Sequence, residues 1–113
     1  MTPDEINIAI AEFCGFKDVH FSPSWNKVIG TKHEPEGNEY EVIPNYYGSL
    51  DAVHEAEKHA PKRKEYAYML YRVVSGLASD IYVHWSDIGE DIFDATAPQR
   101  CEALLKTIER WRD

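Results

Sequence analysis

The densest run of side chains able to do chemistry is Asp51, His54, Glu55 and His59. On a helix, separations of three and four residues put Asp51 beside His54 and Glu55, and Glu55 beside His59, close enough to share a divalent ion. The zinc pattern HExxH needs histidines four apart with a glutamate after the first; here the histidines are five apart and diverge. A solvated helix face laced with ion pairs accounts for the same residues. That second reading is preferred, so no catalytic residue, metal ligand or cofactor is assigned. The first leaves an alternative: a small metal-dependent hydrolase or nuclease using Asp51, His54 and Glu55.

Thr96, Gln99 and Arg100 open the last helical segment. Free backbone N–H groups, a hydroxyl, an amide and a guanidinium at a helix start can hold an anion such as a phosphate. A Thr96 cap with Arg100 paired to a nearby acid explains them as well. Tyr46 and Tyr47 stand in the turn before another helix, where rings that leave the core face can stack on a planar ligand or cover an edge of the fold. If the chain captures a nucleotide, its base stacks on Tyr46 or Tyr47 and its phosphate meets Thr96, Gln99 and Arg100. Other signatures are missing. The six glycines stand singly, which leaves no phosphate loop, and there is no GxSxG elbow. Cys14 and Cys101 fall on apolar helical stripes and read as buried, reduced thiols.

The elements that must position these residues follow from punctuation and period. Thr2, Pro3 and Glu5 make a capping-box start, Ile6, Ala9, Ile10 and Phe13 a buried stripe, and Gly15 a stop, predicting a helix over 3–14. Short apolar runs broken by Ser22-Pro23, Gly30 and 33–38 predict strands over 17–21, 25–31 and 39–43. Ser49 caps a helix running to about His59, and Pro61 stops it. A third helix covers 62–75, with Tyr66, Met69, Leu70, Val73 and Val74 as its stripe and Gly76 as its end. Alternation at 81–85 predicts a strand, 86–91 an acidic connection, and 91–95 a short further strand. The closing helix runs from Ala97 to Trp111 on a stripe of Cys101, Leu104, Leu105, Ile108 and Trp111. The class is α/β, a small three-layer α/β/α sandwich with a mostly antiparallel sheet and about four helices.

Composition bounds the rest. At 113 residues the chain is one domain, 1–113, and 43% hydrophobic with 28% charged residues is the balance of a soluble globular protein. Twenty acids against twelve bases leave a net charge of −8, which argues against general nucleic-acid binding. One small basic pocket around Arg100 is still compatible with it. The N-terminus has acids where a secretory signal has a basic region, and its apolar residues are spaced, so neither export nor membrane insertion is expected and the cytoplasm is the default.

Three stretches carry a resemblance. TPDEINIAIAEFCGF opens the chain with a helix followed by Gly and an aromatic residue, IPNYYGSLDAVHEAEKHA joins a Pro-Asn-Tyr turn to a helix, and DATAPQRCEALLKTIERW forms the closing helix. In this order they resemble the phage ABA sandwich domain, a family of small phage and prophage proteins of unknown function. Asn45 stands where that family has Asp. The resemblance implies an α/β/α layered sandwich and a phage or prophage setting in the host cytoplasm, and it carries over no catalytic residue. The expected function is that of a non-enzymatic accessory protein that binds a host factor or a small nucleotide-like ligand and counters host antiviral defence. A homo-oligomeric structural protein is a further alternative.

Overall fold

The computed structural model describes residues 1–32, 39–76, 92 and 94–112. In chain order they form α1 (Pro3–Phe13), β1 (Phe16–Ser22), β2 (Lys27–Lys32), β3 (Tyr40–Val42), α2 (Leu50–Glu57), α3 (Arg63–Ser75) and α4 (Ala97–Thr107). Three of the four helix starts are supplied with acceptors by their own sequence. The N–H of Glu5 donates to Thr2 Oγ1 at 3.2 Å, and the N–H of Thr2 to Glu5 Oε1 at 3.0 Å, closing a capping box on α1. Thr96 and Gln99 build the same box on α4. Ser49 Oγ accepts from the N–H of Ala52 at 3.2 Å at the head of α2. At α3 the cap position is Lys62, with no side-chain hydrogen bond.

The strands pair antiparallel in sequence order, β1-β2-β3. Phe16 stands opposite Lys32, Phe21 opposite Val28, and Ile29 opposite Val42. Between Lys17 and His20 the register shifts, and Asp18 there takes φ 51°, a left-handed conformation at a bulge. β2 starts two residues later than the alternation predicts, because Trp25 and Asn26 belong to the connecting turn, where Asn26 takes φ 54°. Gly30 allows β1 and β2 to lie close: a Cβ there would meet Val19 Cγ2 at 3.0 Å and the Phe16 ring at 3.3 Å.

α4 touches each of the other three helices, and α1 also packs on β1. Ile10, Val53, Cys101, Leu104 and Leu105 are the largest fully buried side chains, so the core lies where α4 crosses the other helices. The result is a small α/β fold of four helices and a three-stranded antiparallel sheet among the described residues.

Three boundaries differ from the sequence expectation. α2 stops at Glu57, and bonds to the third preceding carbonyl (His59 N–H to Ala56 O, Ala60 N–H to Glu57 O) tighten the following turn. α4 stops at Thr107, short of Trp111. Glu109 takes φ 61° and the N–H of Arg110 returns to Leu105 O at 2.8 Å, so a left-handed cap forms on a glutamate where the sequence offers no glycine. Of the strand expected at 91–95, the described residues Ile92 and Asp94 are in 3₁₀ conformation, with the Ile92 carbonyl accepting from the N–H of Ala95 at 3.3 Å, and residues 91 and 93 lie outside the described residues. The strand expected at 81–85 and the connection at 86–91 lie outside the described residues. Among the described residues, no helix is long and apolar enough to cross a membrane.

Candidate functional site

The start of α4 is a cap with an internal ion pair. Thr96 and Gln99 spend their side chains on each other's backbone N–H groups. Arg100 is buried, its guanidinium turned inward: Nε donates to Ala95 O at 3.1 Å, one Nη to Ile92 O at 3.0 Å and the other to Glu57 Oε2 at 3.0 Å. Tyr46 is buried in the core with its hydroxyl against the Cys14 thiol. Burial, and then that thiol, push its phenol up. Cys14 is itself raised by burial. Tyr47 is half-buried; its N–H donates to Asn7 Oδ1 at 2.8 Å and it borders a hollow of about 360 Å³ beside Lys27 and Asn45. Thr96, Gln99 and Arg100 lie apart from that hollow.

Asp51, His54 and Glu55 share α2 while His59 lies in the turn after it, and the four do not converge on a centre. Glu55 pairs with Lys58 at 2.9 Å, which holds its carboxyl below the usual range, and the His59 ring meets the edge of Phe13 with centroids 6.5 Å apart. His54 turns to Glu57, with Nδ1 at 2.8 Å from Oε1. Among the described residues, no three His, Cys, Asp or Glu stand close enough to hold a metal ion.

Glu57 is the residue that sequence reasoning missed. Its side chain is only 15% exposed, and its Oε2 accepts from Arg100 and, at 2.5 Å, from the hydroxyl of Tyr66. Burial and this carboxylate both raise the Tyr66 phenol, and Cys101 is pushed up to about 12 by burial and by the Glu57 charge. α2, α3 and α4 are thereby tied at one carboxylate. A signal existed: Glu57 follows Val53 by four residues and precedes Ala60 by three, so it borders the apolar stripe of its helix.

Two hollows flank α3. On the side facing α4, a groove of about 540 Å³ is lined by Lys64, Tyr68, Met69 and Arg72 from α3 and by Lys106 and Glu109 at the end of α4. Glu65 at its rim leans to Lys62 at 3.7 Å, while Lys106 Nζ pairs with Glu102 at 2.9 Å and lies 5.6 Å from the Trp111 ring centre. On the side facing α2, a hollow of about 310 Å³ is bordered by His54, Glu57, Lys58, Arg63 and Tyr66. No family model, curated protein or solved structure matches the chain.

Proposed function

We propose that the protein is a binding protein for a small anionic ligand of nucleotide size, taken up in the groove between α3 and α4. One observation carries this: Lys64, Arg72 and Lys106 gather around a groove with a tyrosine in its wall, in a chain whose net charge is −8. Its volume of about 540 Å³ falls in the range of small-molecule sites, about 300–1,000 Å³. Tyr68 offers a ring for a planar group, and the cations suit a phosphate. The acidic surface elsewhere disfavours long polyanions and leaves a single small ligand as the better fit. The resemblance to the phage ABA sandwich domain supplies the setting: a phage or prophage accessory protein in the host cytoplasm that sequesters a nucleotide-like messenger and so counters host defence.

Thermal unfolding with a panel of mono- and dinucleotides tests the reading. A nucleotide at a hundredfold excess over its Kd adds about 2.7 kcal/mol of stability, a rise in Tm of at least several degrees. The rise is expected to disappear in the Lys64→Glu, Lys106→Glu double variant and to shrink with salt. A panel that leaves Tm unchanged at millimolar concentration, or a rise that survives the double variant, overturns it.

A further inference from the structure

The two edges of the sheet are built differently. β1 and β3 are its outer strands among the described residues. β1 is blunted in the way natural edges often are: its register shifts between Lys17 and His20, Asp18 takes φ 51°, and the bulge turns the strand away from further pairing. β3 carries no bulge, proline or lysine. The N–H of Ile43 donates to Val28 O at 3.2 Å, and Glu41 stands opposite Gly30 in the same register. Antiparallel bonding alternates, so Glu41 and Ile43 turn their backbone groups to β2, while Tyr40 and Val42 turn theirs to the open edge.

The side chains along this edge alternate as well. Tyr40 and Val42, 40% and 46% exposed, share a face with Ile29, opposite to the face that carries Phe16 into the core. The Tyr40 hydroxyl donates to the Asp18 carboxylate across β2, and its ring meets the His20 ring edge-on with centroids 5.7 Å apart, so an apolar wall is already in place. Glu41 lies on the other face, with Glu39 two residues before it. Both are exposed, and among the described residues neither is in an ion pair. We infer that β3 takes up an extended segment of a partner protein by antiparallel strand addition, and that this segment alternates Lys or Arg with apolar residues. Its apolar side chains continue the row of Ile29 and Val42, and its cations meet Glu41 and Glu39. The net charge of −8 draws such a segment in from a distance. A second copy fits worse, because pairing two β3 edges sets one Glu41 opposite another, and like charges directly opposed are destabilising. The edge is separate from the α3–α4 groove, and neither site needs the other.

The probe is a capped, fluorophore-labelled peptide of alternating lysine and valine, about six residues long, the usual length of a strand, titrated with the full chain at physiological salt. Saturable binding with a Kd below about 1 mM is expected. In antiparallel addition the valines stand opposite Tyr40 and Val42 and aim their N–H groups at β3, while the lysine N–H groups aim away. Methylating the valine nitrogens is therefore expected to weaken binding by about tenfold or more. Methylating the lysine nitrogens instead should leave it nearly unchanged, with charge and composition the same in both peptides. The Glu39→Lys, Glu41→Lys double variant is expected to lose about tenfold and to prefer a glutamate–valine peptide. In the free chain the N–H groups of Tyr40 and Val42 should exchange with solvent faster than that of Glu41, and slow when the peptide is added. No binding up to about 1 mM, or any other pattern among the methylated peptides, overturns the assignment. So does slow exchange at Tyr40 and Val42 without peptide: if it depends on protein concentration a second copy covers the edge, and if not another part of the chain does. The methylated peptides leave the chain unaltered, so their comparison decides even if the double variant fails to fold.

Discussion

α4 and α3 pack against each other, yet they begin in opposite ways. α4 starts on a closed capping box with Arg100 turned inward one helical turn later, whereas α3 starts on Lys62, Arg63 and Lys64 with no side-chain cap. Cations at the positive end of a helix are unfavourable by a few tenths of a kcal/mol up to about 1 kcal/mol. So the start whose sequence reads most readily as an anion site satisfies itself, and the start that breaks the local rule has hollows bordered by cations on both flanks. Local inconsistency of this kind is where function is worth seeking, since a sequence optimised only for folding would place an aspartate or a serine at the cap and not leave Glu65 as the one acid of a first turn that opens on three cations.

The largest effect that bears on this contrast belongs to Arg100. Arg100→Ala strips Glu57 of its charged partner and leaves the Ala95 and Ile92 carbonyls without their guanidinium donors. Breaking a buried pair from one side costs about 3–5 kcal/mol, which urea unfolding would register as a large fall in the midpoint with little change in slope. The double variant Arg100→Met, Glu57→Leu should recover part of the loss, because no charge is then left stranded. A single variant that loses less than about 1 kcal/mol would mean that the α4 start is not held from within, and would return Arg100 to the list of ligand-facing cations.

Exchanging the two starts is a smaller and more pointed change. Thr96→Ala removes the acceptor for the N–H of Gln99 and should cost about 1 kcal/mol, while Lys62→Asp gives α3 both a cap and a charge of the right sign and should gain about 0.5–1 kcal/mol. Equilibrium unfolding of the two variants side by side checks this. If Lys62→Asp gains nothing, α3 is not strained at its start and the contrast loses its energetic half.

What the sequence made legible was whatever is decided within a few residues. Thr2, Pro3 and Glu5 announce a helix start because a capping box closes over three residues, and Thr96 announces another as a cap; both caps form, and at α4 Gln99, read as a ligand contact, completes a second box. The apolar stripe of α4 is legible for the same reason, and Cys101, Leu104 and Leu105 are fully buried. Features decided by distant partners were not. Glu57 and Arg100 are 43 residues apart, and nothing local couples them. The end of α4 rests on a left-handed glutamate, a residue type that rarely adopts that conformation, and β1 carries a left-handed aspartate at its register shift, where no glycine marks the position. For the candidate sites, the sequence placed His54 on a titratable face but paired it with Asp51 and Glu55, since spacing alone cannot tell which neighbour has already been taken by Lys58.

The smallest effect separates the two capping boxes from each other. Glu5 is held below the usual carboxylate range, first by the backbone N–H of Thr2 and then by its hydroxyl, with Arg112 at 3.6 Å adding to it, whereas Gln99 in the α4 box cannot titrate. Because the native carboxyl binds a proton less readily than the unfolded one, what it contributes is complete above the ordinary value of about 4 and is lost as pH falls through that value toward the lower native one. The amides of the first turn of α1 should therefore exchange faster with solvent as pH is lowered through this window, after correction for intrinsic exchange rates. Those of the first turn of α4 should hold over the same range, and Glu5→Gln should flatten the response of α1. Simultaneous loosening at both starts would show that acid acts on the whole fold, and the two boxes, alike in sequence and geometry, would then be alike in chemistry as well.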